Sequence, residues 1–139
     1  MKTYLVTGAA GFIGSNFVKY LLKKYGKDIQ IIIVDALTYA GNLASIKDEI
    51  ELDNVSFVKS DIADYETIKS VFTNNDIDYV VNFAAESHVD RSITNPKLFL
   101  ETNIIGTQNM LQCAREAWYV GKDEKGSPVY KDGVKYLQI

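Results

Sequence analysis

Gly8-Ala9-Ala10-Gly11-Phe12-Ile13-Gly14 follows directly on the apolar run Tyr4-Leu5-Val6-Thr7. It leads directly into Ile13, Phe17 and Leu21, four apart, with Tyr20 beside them. The reading is strand, glycine-rich turn, helix. In that context each glycine has a physical task. One makes the tight turn, one lets a pyrophosphate approach the backbone, and one lets the helix pack close to the strand. The helix N-terminus offers unpaired N–H groups and partial positive charge for phosphates. Because the spacing is G-x-x-G-x-x-G rather than G-x-G-x-x-G, Gly8, Gly11 and Gly14 alone leave a plain turn open. The second aliphatic run, Ile29 to Val34, ends at Asp35, 21 residues beyond Gly14. An acidic residue so placed accepts hydrogen bonds from the adenosine ribose hydroxyls, and its charge repels a 2′-phosphate. That favours NAD over NADP. The alternative for Asp35 is a turn or helix-cap residue. Together these features predict a dinucleotide site.

Further along, Val55 to Lys59 reads as a third strand ending at Ser60-Asp61. Asp64 can cap a helix carrying Ile68, Val71 and Phe72, and Ile77 to Phe83 is a fourth strand. Thr94 or Asn95 caps a long helix with Pro96 near its first position, running to about Tyr119. Ile104, Ile105, Met110 and Leu111 make it apolar on more than one side, and Gly106 marks close packing or a kink. Gly121 to Gly133 reads as an exposed excursion, and Val134 to Ile139 as a fifth strand. This alternation predicts an α/β fold: one Rossmann-type doubly wound parallel sheet over residues 1–139, in strand order 3-2-1-4-5. Ligands then bind at the carboxyl ends of the strands, where the glycine turn, Asp35, Asp61 and the residues after Phe83 converge.

Composition excludes several other classes. Apolar content of 47% and charged content of 24% are ordinary for a globular domain. The net charge of −3, with mixed signs, offers no basic stripe for nucleic acid. Cys113 is the single cysteine, so no internal disulfide or cysteine-based metal site is expected; it reads as a small buried side chain. No apolar run reaches the roughly 18 residues of a membrane span, and no secretory signal opens the chain. A cytoplasmic location is expected.

Val6 to Ser15 resembles the glycine motif of the extended short-chain dehydrogenase/reductase family. Asp35-Ala36-Leu37-Thr38-Tyr39-Ala40-Gly41-Asn42 and Ala84-Ala85-Glu86-Ser87-His88-Val89-Asp90-Arg91-Ser92 narrow the resemblance to its dTDP-glucose 4,6-dehydratases, and with Thr102-Asn103 and Gly106-Thr107 these stretches cover nearly the whole chain. The resemblance implies NAD as cofactor, a dTDP-glucose substrate and a homodimer formed through the long helix. It implies that Phe12 and Ile13 contact the pyrophosphate through backbone N–H groups. Asp35, Ala36, Leu37 and Thr38 would line the ribose, and Asp61 with Ile62 would meet the adenine. Phe83, Ala84, Ala85, Glu86 and Ser87 would run toward the nicotinamide, Ser87 also touching the sugar, and Thr102 would close the site. Read on their own residues, Asp61 is a cap, Ile62 is core and Thr102 is a helix-internal hydroxyl. His88 is either a local hydrogen-bonder or an acid/base, and Arg91 pairs either with a substrate phosphate or with Asp90 or Glu86.

The same resemblance implies that the fifth strand leads into Ser-Thr-Asp-Glu and later Tyr-x-x-x-Lys, the elimination residues. None of these lies within residues 1–139, so the chain is expected to be the cofactor-binding part of a larger enzyme, inactive by itself. Tyr20-x-x-x-Lys24 and Tyr65-x-x-x-Lys69 match the second motif in spacing but fall on the wrong helices. A sister sugar-nucleotide 4-epimerase shares the glycine motif, and a stand-alone dinucleotide-binding module is the non-enzyme alternative.

Overall fold

The computed structural model describes residues 1–38, 41–86 and 89–139, with backbone alone at Val89. Strands β1 (Lys2–Thr7), β2 (Ile29–Asp35), β3 (Val55–Lys59), β4 (Tyr79–Asn82) and β7 (Lys135–Gln138) form one sheet in the order β3-β2-β1-β4-β7. Every neighbouring pair is parallel. This is the expected 3-2-1-4-5 order, since β7 is the fifth strand of the sheet. Helix α1 (Phe12–Tyr25) covers one face. The other is covered by α2 (Tyr65–Asn74) and a long helical rod made of α4 (Pro96–Leu100), a π-helical segment (Glu101–Gly106) and α5 (Thr107–Trp118).

Alternation along β1 and β2 sorts the core into two layers. Val6, Ile31 and Ile33 pack with Val18 and Leu21 of α1. Leu5, Ile32 and Val34 pack with Ile68, Phe72, Met110 and Trp118 on the other side. β2 is therefore buried on both faces, and its aliphatic run has no polar alternation to show. Cys113 lies in the second layer, where burial pushes its thiol up to about 11. It is an inert core residue, as the sequence implied.

The long rod is amphipathic only in part. Met110, Cys113 and Ala114 are buried, while Ile104, Ile105 and Leu111 are exposed on the outer side. Gly106 is a point of close packing: a Cβ there would overlap the Ile62 side chain. Asn95, not Thr94, caps the rod, its Oδ1 accepting the Leu98 N–H at 3.4 Å, while the Thr94 hydroxyl turns to the carbonyls of Asp90 and Arg91. Before it the structure adds a short helix, α3 (Val89–Thr94).

The rod ends at Trp118, and the exposed excursion that follows holds an antiparallel hairpin the sequence reading does not include, β5 (Tyr119–Lys122) with β6 (Pro128–Tyr130). The hairpin turn is held by Asp123, whose Oδ1 accepts the N–H groups of Lys125 and Ser127 at 2.9 Å each. Two strands this short leave little periodicity to read.

At the amino edge of the sheet, buried Asp78 ties three elements together. Its carboxylate accepts the Thr3 N–H at 3.0 Å and faces Lys2 Nζ at 3.4 Å and Lys131 Nζ at 3.6 Å. Burial pushes its pKa up, but the Thr3 N–H and the two lysines outweigh this and hold it below its ordinary value. Asp78→Ala should cost about 2–3 kcal/mol at pH 7, because the Thr3 N–H is left buried without an acceptor. A depressed folded-state pKa stabilises above the unfolded value and loses that contribution as pH falls through the folded one. The deficit of Asp78→Ala should therefore shrink below about pH 4. Urea unfolding of both proteins from pH 7 to pH 3 checks this, and a deficit independent of pH contradicts it.

Candidate functional site at the carboxyl edge of the sheet

The ends of β1, β2, β3 and β4 open onto one cleft with a cavity volume of about 110 Å³. Gly8 and Gly11 form its floor, and Asp35, Ala36 and Thr38 form one wall. Asp61 and Ile62 form the far end, Phe83, Ala84, Ala85 and Glu86 the opposite wall, and Thr102 reaches in from the π-helical segment.

The glycine turn is built on contacts that side chains would block. Gly8 has φ +68°, and a Cβ on it would sit 2.7 Å from both Ala84 N and Phe83 C. A Cβ on Gly14 would overlap the Gly8 carbonyl, so α1 packs directly on the turn. At Gly11 a Cβ would meet only Gly8 O, at 3.3 Å, which leaves the turn open toward the cleft. Gly11 caps α1 without a side-chain hydrogen bond, and no acidic residue stands in the first turn. Phe12, Ile13 and Gly14 are the first three residues of α1, so their N–H groups have no acceptor within the helix. The side chains of Phe12 and Ile13 are exposed and do not line the cleft. Only their backbone can serve it.

Asp35 is buried at the tip of β2. Its Oδ2 accepts the Ala10 N–H at 2.9 Å and its Oδ1 the Leu37 N–H at 2.8 Å. The carboxylate thus joins the glycine turn to the β2 exit loop, where Leu37 takes φ +53°, a conformation uncommon for a residue other than glycine. Leu37 packs on the α1-side core rather than lining the cleft. Asp35 does serve as a turn residue, and a carboxylate with about four acceptor positions retains capacity for a ligand. Asp61 likewise accepts the Ala63 N–H at 2.9 Å while lining the cleft. Ile62 is both core and lining, and Thr102 is buried with access to the cleft. Each of these residues combines its plain structural role with a place on the cleft lining.

Ser87 and His88 lie outside the described residues. The structure adds Val34, Gly41 and Ser60 to the lining. A Cβ at Gly41 would come within 2.9 Å of Asp35 Oδ1, and the Ser60 N–H donates to Asp35 O at 3.1 Å. The signal for Gly41 was its place at the end of the Asp35–Asn42 stretch. Asn103 clamps the 83–86 wall, accepting the Glu86 N–H at 2.9 Å and donating to Glu86 O at 2.8 Å. Asn109 donates to Ile62 O at 3.0 Å. Neither role has a local sequence signature. Tyr20 with Lys24 and Tyr65 with Lys69 are helix-surface pairs, each ammonium within 5.8 Å of its ring centroid, and none lines the cleft.

The family model described as GDP-mannose 4,6 dehydratase matches residues 5–131. A dTDP-glucose 4,6-dehydratase of Xanthomonas campestris pv. campestris is 42% identical over all of this chain, which covers 37% of that relative. The crystal structure of a dTDP-glucose 4,6-dehydratase from Bacillus anthracis in complex with NAD superposes with a TM-score of 0.77 at 36% identity, over 99% of this chain and 37% of that one. A UDP-Glc/GlcNAc 4-epimerase from Campylobacter jejuni matches with a TM-score of 0.74 at 28% identity, over 84% of this chain and 34% of that one. The chain thus spans little more than a third of the length of the relatives it matches. Among the described residues, no helix is long and apolar enough to cross a membrane. With the matched model running from β1 to the hairpin, this chain belongs to the GDP-mannose 4,6-dehydratase family.

Proposed function

We propose that this chain is the NAD-binding part of a dTDP-glucose 4,6-dehydratase, which converts dTDP-glucose to dTDP-4-keto-6-deoxyglucose with loss of water. One observation carries the reading: the carboxylate ending β2 is bonded to the glycine turn, beside a helix N-terminus whose first N–H groups lack helical acceptors. An adenosine ribose fits the spare acceptor capacity of Asp35, and a pyrophosphate fits the start of α1. In this reading the adenine lies by Asp61 and Ile62. Phe83 to Glu86, with Ser87 beyond, run along the cofactor toward the nicotinamide and the sugar.

NAD supplies the redox chemistry when bound. The residues of this chain bind it, orient it and shield its adenosine end from water. The elimination needs acid and base groups of tuned pKa, and none of residues 1–139 is assigned to that role. We assign it to the Ser-Thr-Asp-Glu and Tyr-x-x-x-Lys motifs that the resemblance implies. The exposed Ile104, Ile105 and Leu111 face of the long rod fits a homodimer contact, and a cytoplasmic setting fits a nucleotide-sugar enzyme.

Calorimetric titration of the whole protein should find NAD bound at least about 10-fold more tightly than NADP, since a 2′-phosphate would face the Asp35 carboxylate. Mass spectrometry should find dTDP-glucose converted with loss of one water. A product of unchanged mass and inverted C4 assigns the sister epimerase instead. Residues 1–139 alone should be inactive, and dehydratase activity from them contradicts the assignment of the elimination.

A further inference from the structure

We propose that Asn82 is a positioning residue for the cleft. Through its side-chain amide it holds the glycine turn and the 83–86 wall in their working spacing, and links both to β7. The proposal rests on the NAD reading above.

At the carboxyl edge the row shared by β1, β4 and β7 is polar, while β2 and β3 contribute Val34 and Val58 to it. Thr7 pairs in register with Asn82, and Asn82 with Gln138. One row back stand Val6, Val81 and Leu137. Thr7 and Asn82 are fully buried. Their side chains form one directed chain of hydrogen bonds. The Ala84 N–H donates to Thr7 Oγ1 at 3.4 Å, and the Thr7 hydroxyl donates in a short bond to Asn82 Oδ1. Asn82 Nδ2 donates to Gln138 Oε1 at 2.9 Å, which also accepts the Tyr136 hydroxyl at 3.0 Å. In this arrangement the Thr7 hydroxyl both accepts and donates, and the Asn82 amide accepts on one side and donates on the other, so each side chain of the chain has its partner. A fully buried amide in an apolar sheet is costly unless so satisfied.

Its location gives the chain a use beyond register. Thr7 is followed at once by Gly8, and Asn82 by Phe83. Gly8 lies against the backbone of Phe83 and Ala84 with no room for a Cβ. The two loops that face each other across the cleft therefore leave the sheet from adjacent residues joined by this bond. A shift of the Thr7–Asn82 pair moves floor and wall relative to one another, and binding geometry is sensitive to such small displacements. Gln138 brings β7 into the same linkage. Thr7 and Gln138 do not touch, because β4 lies between their strands, so communication between them runs through Asn82.

The test is NAD affinity of the whole protein carrying Thr7→Val, Gln138→Met, both together, Thr7→Ser or Gln138→Glu. Valine and methionine remove the bonds; serine keeps the hydroxyl and glutamate keeps the acceptor. We expect Thr7→Val and Gln138→Met each to weaken NAD binding about 10-fold, and the double variant to weaken it far less than the about 100-fold of independent effects. Thr7→Ser and Gln138→Glu should stay within about 3-fold of the parent. Gln138→Met with Gln138→Glu decides the matter even if Thr7→Val does not fold. Unchanged NAD affinity in Gln138→Met, with or without a lower melting temperature, overturns the positioning role and leaves the NAD reading intact. A parent protein without NAD affinity overturns both.

Discussion

Gly8→Ala should cost about 3–5 kcal/mol of stability and abolish measurable NAD binding, because the new methyl group has nowhere to go. At φ +68° an L-residue carries a conformational cost of roughly 1–2 kcal/mol. The remainder comes from overlap with Ala84 N and Phe83 C, each 2.7 Å from the Cβ position. Both are backbone atoms of the opposite wall, so no rotamer change relieves the contact; floor and wall must part. Denaturant titration checks this, with the midpoint lowered at unchanged slope. If Gly8→Ala loses no more than the roughly 1–2 kcal/mol of the conformational cost, the close approach of the two loops is wrong.

Asp35→Ala should weaken NAD binding by about 100-fold, equivalent to about 2.7 kcal/mol, and lower stability as well. The carboxylate meets two backbone donors, Ala10 N–H and Leu37 N–H, one on each loop flanking the proposed ribose position. Without it both loops lose their tie, and Leu37 loses the partner that holds it at positive φ. Asp35→Asn should behave almost as badly: its one carbonyl oxygen can accept one of these protons, while its NH₂ group faces the other donor. Selectivity separates the binding role from the structural one. With the negative charge gone from either variant, the preference for NAD over NADP should narrow toward parity. A variant that loses stability but keeps the parent's NAD:NADP ratio assigns Asp35 to the loops alone.

Two kinds of information met in this fold. Strand–turn–helix order, the aliphatic run ending at Val34, a fourth strand within residues 77–83, Asp64 as a cap and the parallel 3-2-1-4-5 order were legible in the chain, because they depend on local periodicity and on crossover handedness. The hairpin at 119–130 was not, since three- and four-residue strands carry almost no period. The short helix α3 escaped because a single turn and a half lacks an apolar face of its own.

At the cleft, the chain by itself determined which residues arrive at the carboxyl edge: the glycine turn, Asp35, Asp61 and the segment after Phe83 follow from strand ends and spacing, while Thr102 came only with the family resemblance. Only the tertiary structure decided how they are held there. The Asp35 carboxylate closes on the glycine turn, Asn103 clamps Glu86, Gly106 admits Ile62, and Asn82 joins three strands. Each of these partners is distant in sequence, with Thr7 and Asn82 75 residues apart, and a hydrogen bond between distant segments leaves no periodic trace along the chain. Spacing brings groups to an edge, and packing sets the ångström-scale distances between them.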